Sequence, residues 1–476
     1  MKKYLVIITG ILVMVTLASC EKALTEKLHS SISPENFYKT TGDAEAALNG
    51  AFSYLKSQTY YQRTIYVVTD LSADIFRPNS GNNDRQEIYR GTYTPFNGQL
   101  YSFWAESYIT IKNCNDVITY VPGMNVDDAF KNNIVGNARF LRGMAFFDLV
   151  RMFGDIPIVL KNGGDQDLFP KRDPSSAVYE QAIADLQFAE QNCLHAHEIP
   201  SDKIGRASSE AASAMLARLY LQRASTSFGS PADNQSALTQ CNKVIAYSTA
   251  HPTTIGLVAN YQDIFDVEKK NGPESIFAVQ FGNNSLENAN ITNLMFDPGS
   301  LGGYGSFVPN SSFYESYEAG DTRKAVNVGT ESGGTIYVSK YRDPGVAPGG
   351  FGGTNWIVLR YSDILLMQSE AMHKLNPGDV KKFDGINIIR TRAGLGNKLL
   401  DLTNTPTPDA FVAALLNERL WELCLEGQRR WDLIRFGKLL QVKASQGFTV
   451  SAERLLYPIP QGDLDINKNL TQNPGY

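Results

Sequence analysis

The segment from Arg139 to Pro157, RFLRGMAFFDLVRMFGDIP, carries the clearest structural signal in this chain of 476 residues. It is the second half of a run from Asp127 to Phe153 with helical periodicity, which Gly154 and Pro157 close because both residue types end helices. Charged and large apolar side chains alternate along it. We expect a long buried helix in which the charged groups are paired or extend along apolar surface, rather than a site of chemistry. The residues concerned are Arg139, Arg142, Asp148 and Arg151, set among Phe140, Met144 and Phe147.

Further helical segments lie on both sides of this one. An apolar face over 101–118 recurs at spacings of three, four and seven, which predicts a long helix; its members are Tyr101, Trp104, Tyr108, Ile111 and Ile118. Pro174 opens a helix to about Asn192, and helices are predicted over about 207–224 and 231–247. Helix pairs with short turns are typical of stacked units such as tetratricopeptide repeats, although no clean repeat period is present. Helical signals resume at Leu359 and continue, with breaks, to about Leu440.

Two regions interrupt the helical pattern. The first, Val67–Gln99, is rich in Asn, Gly, Asp and Arg, and the second, His251–Trp356, contains many glycines and several prolines. Within the second region, Ser275–Phe281 and Thr335–Tyr341 predict short strands because β-branched and aromatic residues alternate there. Long excursions within a helical scaffold are usually functional. The last segment, 455–476, contains three prolines and is expected to be extended.

The N-terminal residues have the pattern of a bacterial export signal. Two lysines precede an apolar run from Tyr4 to Val15, which is too short to span a bilayer as a permanent helix. Leu-Ala-Ser then precedes Cys20, as in a lipobox, where the thiol is acylated and the leader is removed. We therefore expect a signal peptide over 1–19 and a lipid-anchored tether over 20–33. The alternative is an ordinary secreted protein with an incidental cysteine.

Composition excludes several classes of protein. With 43% hydrophobic and 20% charged residues, the chain can bury a large core and is not disordered. Its formal charge is -5, and loss of the two leader lysines makes it -7. This mild acidity argues against nucleic acid as a partner and against electrostatic binding to anionic lipid.

The cysteines and histidines show no pattern of a metal site. Four cysteines besides Cys20 are scattered without CxxC spacing, and we expect buried free thiols, with disulfides as the alternative in an exported protein; they are Cys114, Cys193, Cys241 and Cys424. The histidines are dispersed too, and His195 and His197 would point to different faces of a helix. No metal and no cofactor are predicted, while a calcium site made of oxygen ligands stays open.

Four segments, taken together, resemble the SusD/RagB family of nutrient-binding outer-membrane lipoproteins. The first is the 139–157 segment. The second is LRYSDILLMQSEA over 359–371, followed by IN at 386–387 and RTRAGL at 390–395. The third is EGQRRWDLIRFG over 426–437, preceded by ER at 418–419 and EL at 422–423, and the fourth is PIP at 458–460 with QNPGY at 472–476. They occur in the family's order and span nearly the whole mature chain, whereas 251–356 matches nothing in it.

This resemblance implies a mostly α fold, in which tetratricopeptide-like helix pairs form an α-α superhelix with loop-rich regions and a few short strands. It implies a single domain over 34–476, with helical parts over about 34–250 and 357–476 and a loop-rich insertion over about 251–356. It also implies a partner, a TonB-dependent outer-membrane barrel of the SusC type. The lipoprotein would cover this barrel at the cell surface and deliver a glycan to it without catalysis. An oligopeptide or another nutrient is the alternative ligand.

The acidic residues Glu418, Glu422 and Glu426 are spaced by four, which would place them on one helix face. Two carboxylates that flank a substrate could hydrolyse a glycosidic bond, so a surface glycoside hydrolase is the competing hypothesis. We favour a structural ion network, because three carboxylates need counter-charge to coexist. The predicted sources of that charge are Arg390, Arg392, Arg429 and Arg430. Trp421 and Trp431, in the same segments, are expected in the core.

The irregular regions supply the candidate ligand contacts. An exposed aromatic ring can cover the C–H face of a sugar at small entropic cost, while the hydroxyl groups need convergent donors and acceptors. The predicted aromatic contacts are Tyr89, Phe296, Tyr304, Phe307 and Trp356. The predicted polar contacts are Asp74, Arg77, Asn82, Asn83, Asp84 and Arg85. For each aromatic residue, packing within a loop is the alternative.

Overall fold

The computed structural model describes residues 37–79, 81–162, 168–282 and 290–476; Cys20, the signal peptide and the tether lie outside these ranges. Its contacts divide the chain into two units, Met1–Lys39 and Thr40–Tyr476, and all that follows concerns the second. The helices are α1 (Thr41–Ser53), α2 (Thr64–Val68), α3 (Asn83–Arg90), α4 (Gly98–Tyr120), α5 (Asp128–Phe153), α6 (Ser175–Asn192), α7 (Ser209–Ala224), α8 (Pro231–Ala250), α9 (Thr292–Phe296), α10 (Ser311–Glu315), α11 (Arg323–Asn327), α12 (Tyr361–Leu375), α13 (Lys382–Arg392), α14 (Pro408–Leu423), α15 (Arg429–Arg435), α16 (Leu439–Ser445) and α17 (Gln461–Ile466). The strands are β1 (Phe76–Pro78), β2 (Ser275–Val279), β3 (Phe307–Pro309), β4 (Val328–Thr330), β5 (Ile336–Val338) and β6 (Trp356–Arg360).

Helix α5 is the central element, and its sequence explains both its limits and its burial. Asp127 caps its N-terminus by accepting a hydrogen bond from the amide of Phe130, and Gly154 ends it at φ 73°, a left-handed value that favours glycine. From Ile134 onward the helix is buried almost throughout. The prediction of a long buried helix is therefore confirmed.

The buried charges of α5 are paired, as predicted. Arg142 donates from Nε and Nη2 to the two carboxylate oxygens of Asp185 on α6, both at 2.7 Å. Arg151 pairs with Asp148 one turn earlier, and its guanidinium lies 4.6 Å from the ring centre of Trp431. A bidentate pair satisfies both charges in the core and fixes the register between the two helices.

The long helices pack in the order of the chain. α4 packs on α5, α5 on α6, α6 on α7 and α7 on α8, and α8 then packs on α12 and α12 on α13. This succession is the stacked arrangement of helix pairs that the helical spacing predicted. The mostly α fold with few short strands is confirmed.

The irregular regions contain more helix than predicted. Within 67–99 the structure forms α3, which Asn82 caps at its start and Gly91, at φ 75°, ends. Only Arg85 and Ile88 of this helix are buried, so the sequence lacks the apolar periodicity by which helices are predicted. The terminal segment likewise contains α17. Tyr101, assigned to the buried face of α4, is instead half exposed.

Three antiparallel pairs make up the strand content of the described ranges: β1 with β3, β2 with β6, and β4 with β5. The predicted strand over 275–281 is observed as β2, and the one over 335–341 is reduced to β5. None of the helices in these ranges combines the length and the apolarity needed to cross a membrane.

Candidate functional site

The two irregular regions meet through the pairing of β1 with β3. Arg77 lies opposite Val308, and Pro78 lies opposite Phe307. Directly after β1, the amide of Asn79 donates to the carbonyl of Ser306 at 2.9 Å. This short ladder brings segments that are far apart in the sequence to one surface, so the predicted ligand contacts from both regions become neighbours.

Three of the predicted aromatic contacts lie beneath this surface rather than on it. Phe296, Phe307 and Trp356 are only 2%, 0% and 1% exposed, and the prediction that they present their rings to a ligand is wrong. They form a buried aromatic cluster around Tyr66, whose ring centre lies 5.0, 5.6 and 5.7 Å from theirs. The physical reason is that large rings contributed by distant segments stabilise the fold most when they pack on one another. The cluster supports the surface above it.

Tyr304 is the predicted aromatic contact that stays accessible, with 69% of its surface exposed. Its amide donates to the carbonyl of Leu294 at 2.7 Å, and the amide of Gly305 donates to the carbonyl of Asp297 at 2.8 Å. Gly302 adopts φ +81°, and a Cβ there would lie 2.5 Å from the amide nitrogen of Gly349. Backbone hydrogen bonds therefore fix the conformation of this loop, in which the Tyr304 ring points outward.

The polar residues predicted at the start of α3 differ in whether their side chains are used within the protein or remain exposed. Asn82 accepts from the amide of Arg85 at 3.0 Å, and Asp84 accepts from the amide of Gly98 at 3.2 Å. Arg85 is buried, with its guanidinium 5.0 Å from the ring centre of Phe307, which contradicts its assignment as an accessible contact. Asn83 remains exposed.

Asp74 and Arg77 also differ in their roles. Asp74 accepts a bidentate pair from Nε and Nη2 of Arg429, both at 2.8 Å. Its carboxylate is thus occupied by Arg429 and stabilises the turn before β1. This geometry does not support the prediction that Asp74 contacts a ligand. Arg77 is exposed in the middle of β1. Burial raises the pKa of the neighbouring Tyr89, and the charge of Arg77 counteracts that rise.

Tyr89 is half buried and packs edge-to-face on Phe448, with ring centres 5.2 Å apart. Part of its ring is therefore covered, and we leave it out of the outward group. We call the outward residues that remain from the prediction, together with Asn79, the ligand face: Arg77, Asn79, Asn82, Asn83 and Tyr304. Asn79 belongs to the polar stretch ahead of α3, and its exposure beside Gly305 became evident only from the strand pairing.

The acidic residues form a buried ion network, as predicted. Arg323 contacts Glu418 at 2.6 Å and Glu422 at 3.0 Å, while Arg390 contacts Glu418 at 2.9 Å. Glu422 also pairs with Arg360 and Arg392. Each of these side chains is at most 3% exposed, so no substrate can reach the carboxylates.

Two details of the predicted network are corrected. Glu426 does not share a helix face with the other two, because α14 ends at Leu423. It instead contacts Lys340 at 2.6 Å and Arg360 at 2.8 Å. Two of the predicted counter-charges do not contact the acidic residues. Arg429 pairs with Asp74, while Arg430 donates to the carbonyl of Leu455 and packs on the ring of Tyr457.

The electrostatics of the network agree with a structural role. Burial raises the pKa of Glu422, but Arg392, Arg360 and Arg323 outweigh it and hold that pKa well below its ordinary range. Burial raises the pKa of Glu418 despite its two arginine partners. A pair of carboxylates with different pKa values is a feature of glycoside hydrolases, but here the two groups are sealed in the core instead of flanking a cleft. Trp421 and Trp431 are core residues, as predicted.

The cysteines outside the N-terminal region are free and buried, in agreement with the prediction. Burial raises the pKa of the Cys424 thiol to about 11 and that of Cys193 to about 12, so neither is a reactive thiolate. Across the described ranges, no group of three or more His, Cys, Asp or Glu side chains could hold a metal ion.

The histidines behave differently from the prediction. His195 caps a single 3-10 turn over Ala196–Glu198 and His197 lies within it, and both ring centres are 6.0 Å from that of Tyr247 on α8. His251 joins them at the end of α8, with its ring centre 4.4 Å from that of His197. Residues dispersed in the sequence thus form one cluster, because the turn folds back on the end of α8.

Comparison with known proteins adds independent findings. The family model described as the SusD family matches residues 323–476. A second, described as starch-binding and associating with the outer membrane, matches residues 29–221. Among curated proteins, the chain is 28% identical to "SusD-like protein P2" of Formosa agariphila, with both chains covered in full.

Solved structures share the whole fold. A SusD superfamily protein from Parabacteroides distasonis superimposes with a TM-score of 0.80 at 25% identity, covering 94% of this chain and 100% of the other. Surface glycan-binding protein A from Bacteroides thetaiotaomicron, solved in complex with laminarihexaose, gives a TM-score of 0.75 at 23% identity, covering 91% of this chain and 99% of the other.

Proposed function

The chain belongs to the SusD/RagB family, and we propose that it is a surface lipoprotein that binds an oligosaccharide or polysaccharide and delivers it to a TonB-dependent transporter. The family is one of binding proteins, and the protein is accordingly non-catalytic. The glycan as ligand is supported by the family description, which names starch, and by the laminarihexaose complex of the similar glycan-binding protein.

The observation that carries the ligand assignment is the presentation of Tyr304. Its ring is 69% exposed on a loop held by backbone hydrogen bonds. Exposed tyrosines of this kind bind sugar rings at low entropic cost, because few bonds must be immobilised. Arg77 lies on the adjoining strand and Asn79 directly follows it, and they supply donors and an acceptor for hydroxyl groups.

The first test is calorimetric titration of the protein with laminarin and with soluble starch. We expect saturable binding to at least one of them and no new reducing ends after prolonged incubation. Replacement Tyr304→Ala should weaken binding about tenfold, which corresponds to about 1.4 kcal/mol, while the melting temperature stays unchanged because the side chain packs on little.

A matched control is Phe228→Ala, since Phe228 is another exposed aromatic residue, 40% exposed, but packs on Tyr179 outside the irregular regions. It should leave the affinity unchanged. If wild type and Tyr304→Ala bind glycan with equal affinity, Tyr304 is not a ligand contact. Binding of oligopeptides with no response to glycans would replace the glycan with the alternative ligand.

The transporter and the lipid anchor are further parts of the proposal. A SusC-type barrel as partner and acylation of Cys20 rest on the family membership and on the lipobox-like sequence, which lies outside the described residues. Association with the outer membrane is the description that the matching family carries. Affinity purification of the tagged full-length protein from detergent-solubilised envelopes should recover a barrel protein, and its repeated absence would contradict the partnership.

A further inference from the structure

A groove runs between the loop that precedes α7 and the strand β2. It consists of two adjoining cavities of about 280 and 380 Å³. Both are lined by Gly205, Arg206 and Gln280, so they share one wall. The larger of the two falls within the size range of ordinary ligand sites. The five residues of the ligand face are absent from its lining, so the groove is a separate feature.

The wall of the groove is built from a network of side-chain amides. Asn271 and Gln280 exchange two hydrogen bonds of 2.9 Å. Asn355 donates to both of them, at 3.1 and 3.0 Å. Asn271 adopts φ 62° to take part, a left-handed conformation that Asn tolerates better than most residues. Amides fixed in this way keep their positions before any ligand arrives, which lowers the cost of binding.

The loop opposite this wall approaches it closely. Gly205 has φ +102°, and a Cβ there would lie 2.5 Å from Cγ of Gln280. Arg206, the next residue, donates from Nη2 to Glu45 at 2.7 Å and to Asn49 at 2.5 Å. Glu45 pairs with both Arg206 and Lys203, and Asp202 also pairs with Lys203. Two of the three cationic side chains in the lining, the third being Lys56, therefore have carboxylate partners, and a neutral ligand suits the groove better than an anion.

One end of the groove is lined by His197, whose ring packs against those of Tyr247 and His251 behind it. We call these three residues the ring cluster. The rings of His251 and Tyr247 are stacked at 4.6 Å, and those of His251 and His197 at 4.4 Å with 13° between their planes. Nδ1 of His197 lies 2.8 Å from the hydroxyl of Tyr247. His197 is exposed and lines the groove, so a ring that is held in place by its stacking partners adjoins the polar wall.

The remaining lining is rich in hydroxyl groups, contributed by Ser201, Thr253 and Thr254. A site that combines a flat ring surface, fixed amides, hydroxyl groups and compensated charge matches a polyhydroxylated, uncharged ligand. We propose that this groove is a second carbohydrate-binding site, which contacts the same glycan chain beyond the ligand face or a neighbouring chain. The inference rests on the proposed function and deepens it, because two linked sites would raise the avidity for a polymer above that for a short oligosaccharide.

The test uses the full-length protein, with laminarin and soluble starch as polymers and laminarihexaose and maltohexaose as short probes. The groove variant is the double replacement His197→Ala and His251→Ala, and Thr249→Ala on the exposed side of α8 is its matched control. We expect the groove variant to bind the polymer about tenfold more weakly than wild type, to bind one hexasaccharide fewer per protein in calorimetry, and to keep the melting temperature. The control should match wild type in all three measurements.

A second measurement separates this inference from the proposed function. In a Tyr304→Ala protein, hexasaccharide should still shift the imidazole NMR signals of His197 and His251, since the groove does not depend on the ligand face. If wild type binds glycan and the groove variant binds both polymer and hexasaccharide as tightly as wild type does, the second site is refuted and the proposed function stands. If wild type binds none of the four probes, both fail together.

Discussion

Glu422 shows what a buried carboxylate does when it is enclosed by arginines. Three of them, from different segments, contact its two oxygens: Arg323, Arg360 and Arg392. Replacing one partner of a buried pair leaves uncompensated charge in the core, which costs about 3–5 kcal/mol.

We therefore expect Glu422→Gln to lower the free energy of unfolding by about 3–5 kcal/mol in chemical denaturation. Asn417→Ala, an exposed position on the same helix, should change it by less than about 0.5 kcal/mol. The enzyme hypothesis makes a different prediction, because wild type would then release reducing ends from glycans and Glu422→Gln would not. Such a release by the purified protein would overturn the non-catalytic assignment.

Asp70 allows a prediction about pH. It is fully buried, and burial raises its pKa from 3.8 to about 7, although the hydrogen bond from the amide of Gly427 opposes the rise. The folded protein keeps this proton up to about pH 7, whereas the unfolded chain releases it near pH 4. The group's contribution to stability is therefore full below about pH 4 and is lost as the pH rises through about 7.

Asp70→Asn has a neutral amide at every pH, so it should not show this loss. We expect the free energy of unfolding of the variant, relative to wild type, to increase between about pH 4 and about pH 7, by an amount on the order of 4 kcal/mol at most. Urea denaturation across this range measures it. Parallel stability curves for the two proteins would show that Asp70 is ionised throughout.

At the scale of elements, α3 and β1 depend on a lysine from α16. Lys443 is 3% exposed, and its ammonium group donates to the carbonyl of Tyr89 at 2.7 Å and to that of Ala73 at 3.2 Å. One carbonyl lies at the end of α3 and the other shortly before β1. This side chain thus connects the two elements that carry Arg77, Asn82 and Asn83.

Lys443→Met keeps the length of the side chain but leaves the carbonyl of Tyr89 without a donor, at a cost of about 1–3 kcal/mol, whereas the carbonyl of Ala73 keeps the side-chain amide of Gln446 at 3.0 Å. We expect a loss of about 1–3 kcal/mol in stability and, well below the melting temperature, a measurable loss of glycan affinity because α3 loses this contact. Lys438→Met, at an exposed position one turn earlier, is the matched control. Lower stability with unchanged affinity would limit Lys443 to a role in folding.

The elements also show where sequence patterns suffice. α5 was predicted almost to the residue because Asp127, Gly154 and the apolar spacing are local signals. α3 was missed because its eight residues are mostly polar. A short helix of that kind is held by tertiary contacts such as the one with Lys443, and these contacts leave no periodic pattern.

At the scale of the whole molecule, the proposal requires that one end of the chain holds the binding domain to a membrane. We expect Cys20→Ser to prevent acylation and to move the protein from the envelope fraction to the soluble fraction, because several acyl chains would otherwise anchor it firmly. Fractionation followed by immunoblotting measures this, with Cys114→Ser, a buried free cysteine of the domain, as control. Retention of Cys20→Ser in the envelope would show that another contact anchors the protein.

The order of the helices, the ends of the long ones, the family resemblance and the need for counter-charge at Glu418 and Glu422 could be inferred from the chain alone, although not the partners Arg323 and Arg360. These features depend on interactions between residues close in sequence or on motifs whose residues recur in a set order. Glu418 and Glu422 illustrate this, since their spacing on one helix already required counter-charge from elsewhere.

Only the tertiary structure decided which aromatic residues a ligand can reach. Phe307 and Tyr304 belong to the same short segment, yet one is 0% and the other 69% exposed. The difference arises because β3 pairs with β1 and places Phe307 against Tyr66, while the loop that contains Gly302 and Gly305 directs Tyr304 outward. The ring cluster of His197, Tyr247 and His251 has the same origin. Exposure is a property of the packed segments together, and the residues that pack on a given ring come from positions that no local pattern connects to it.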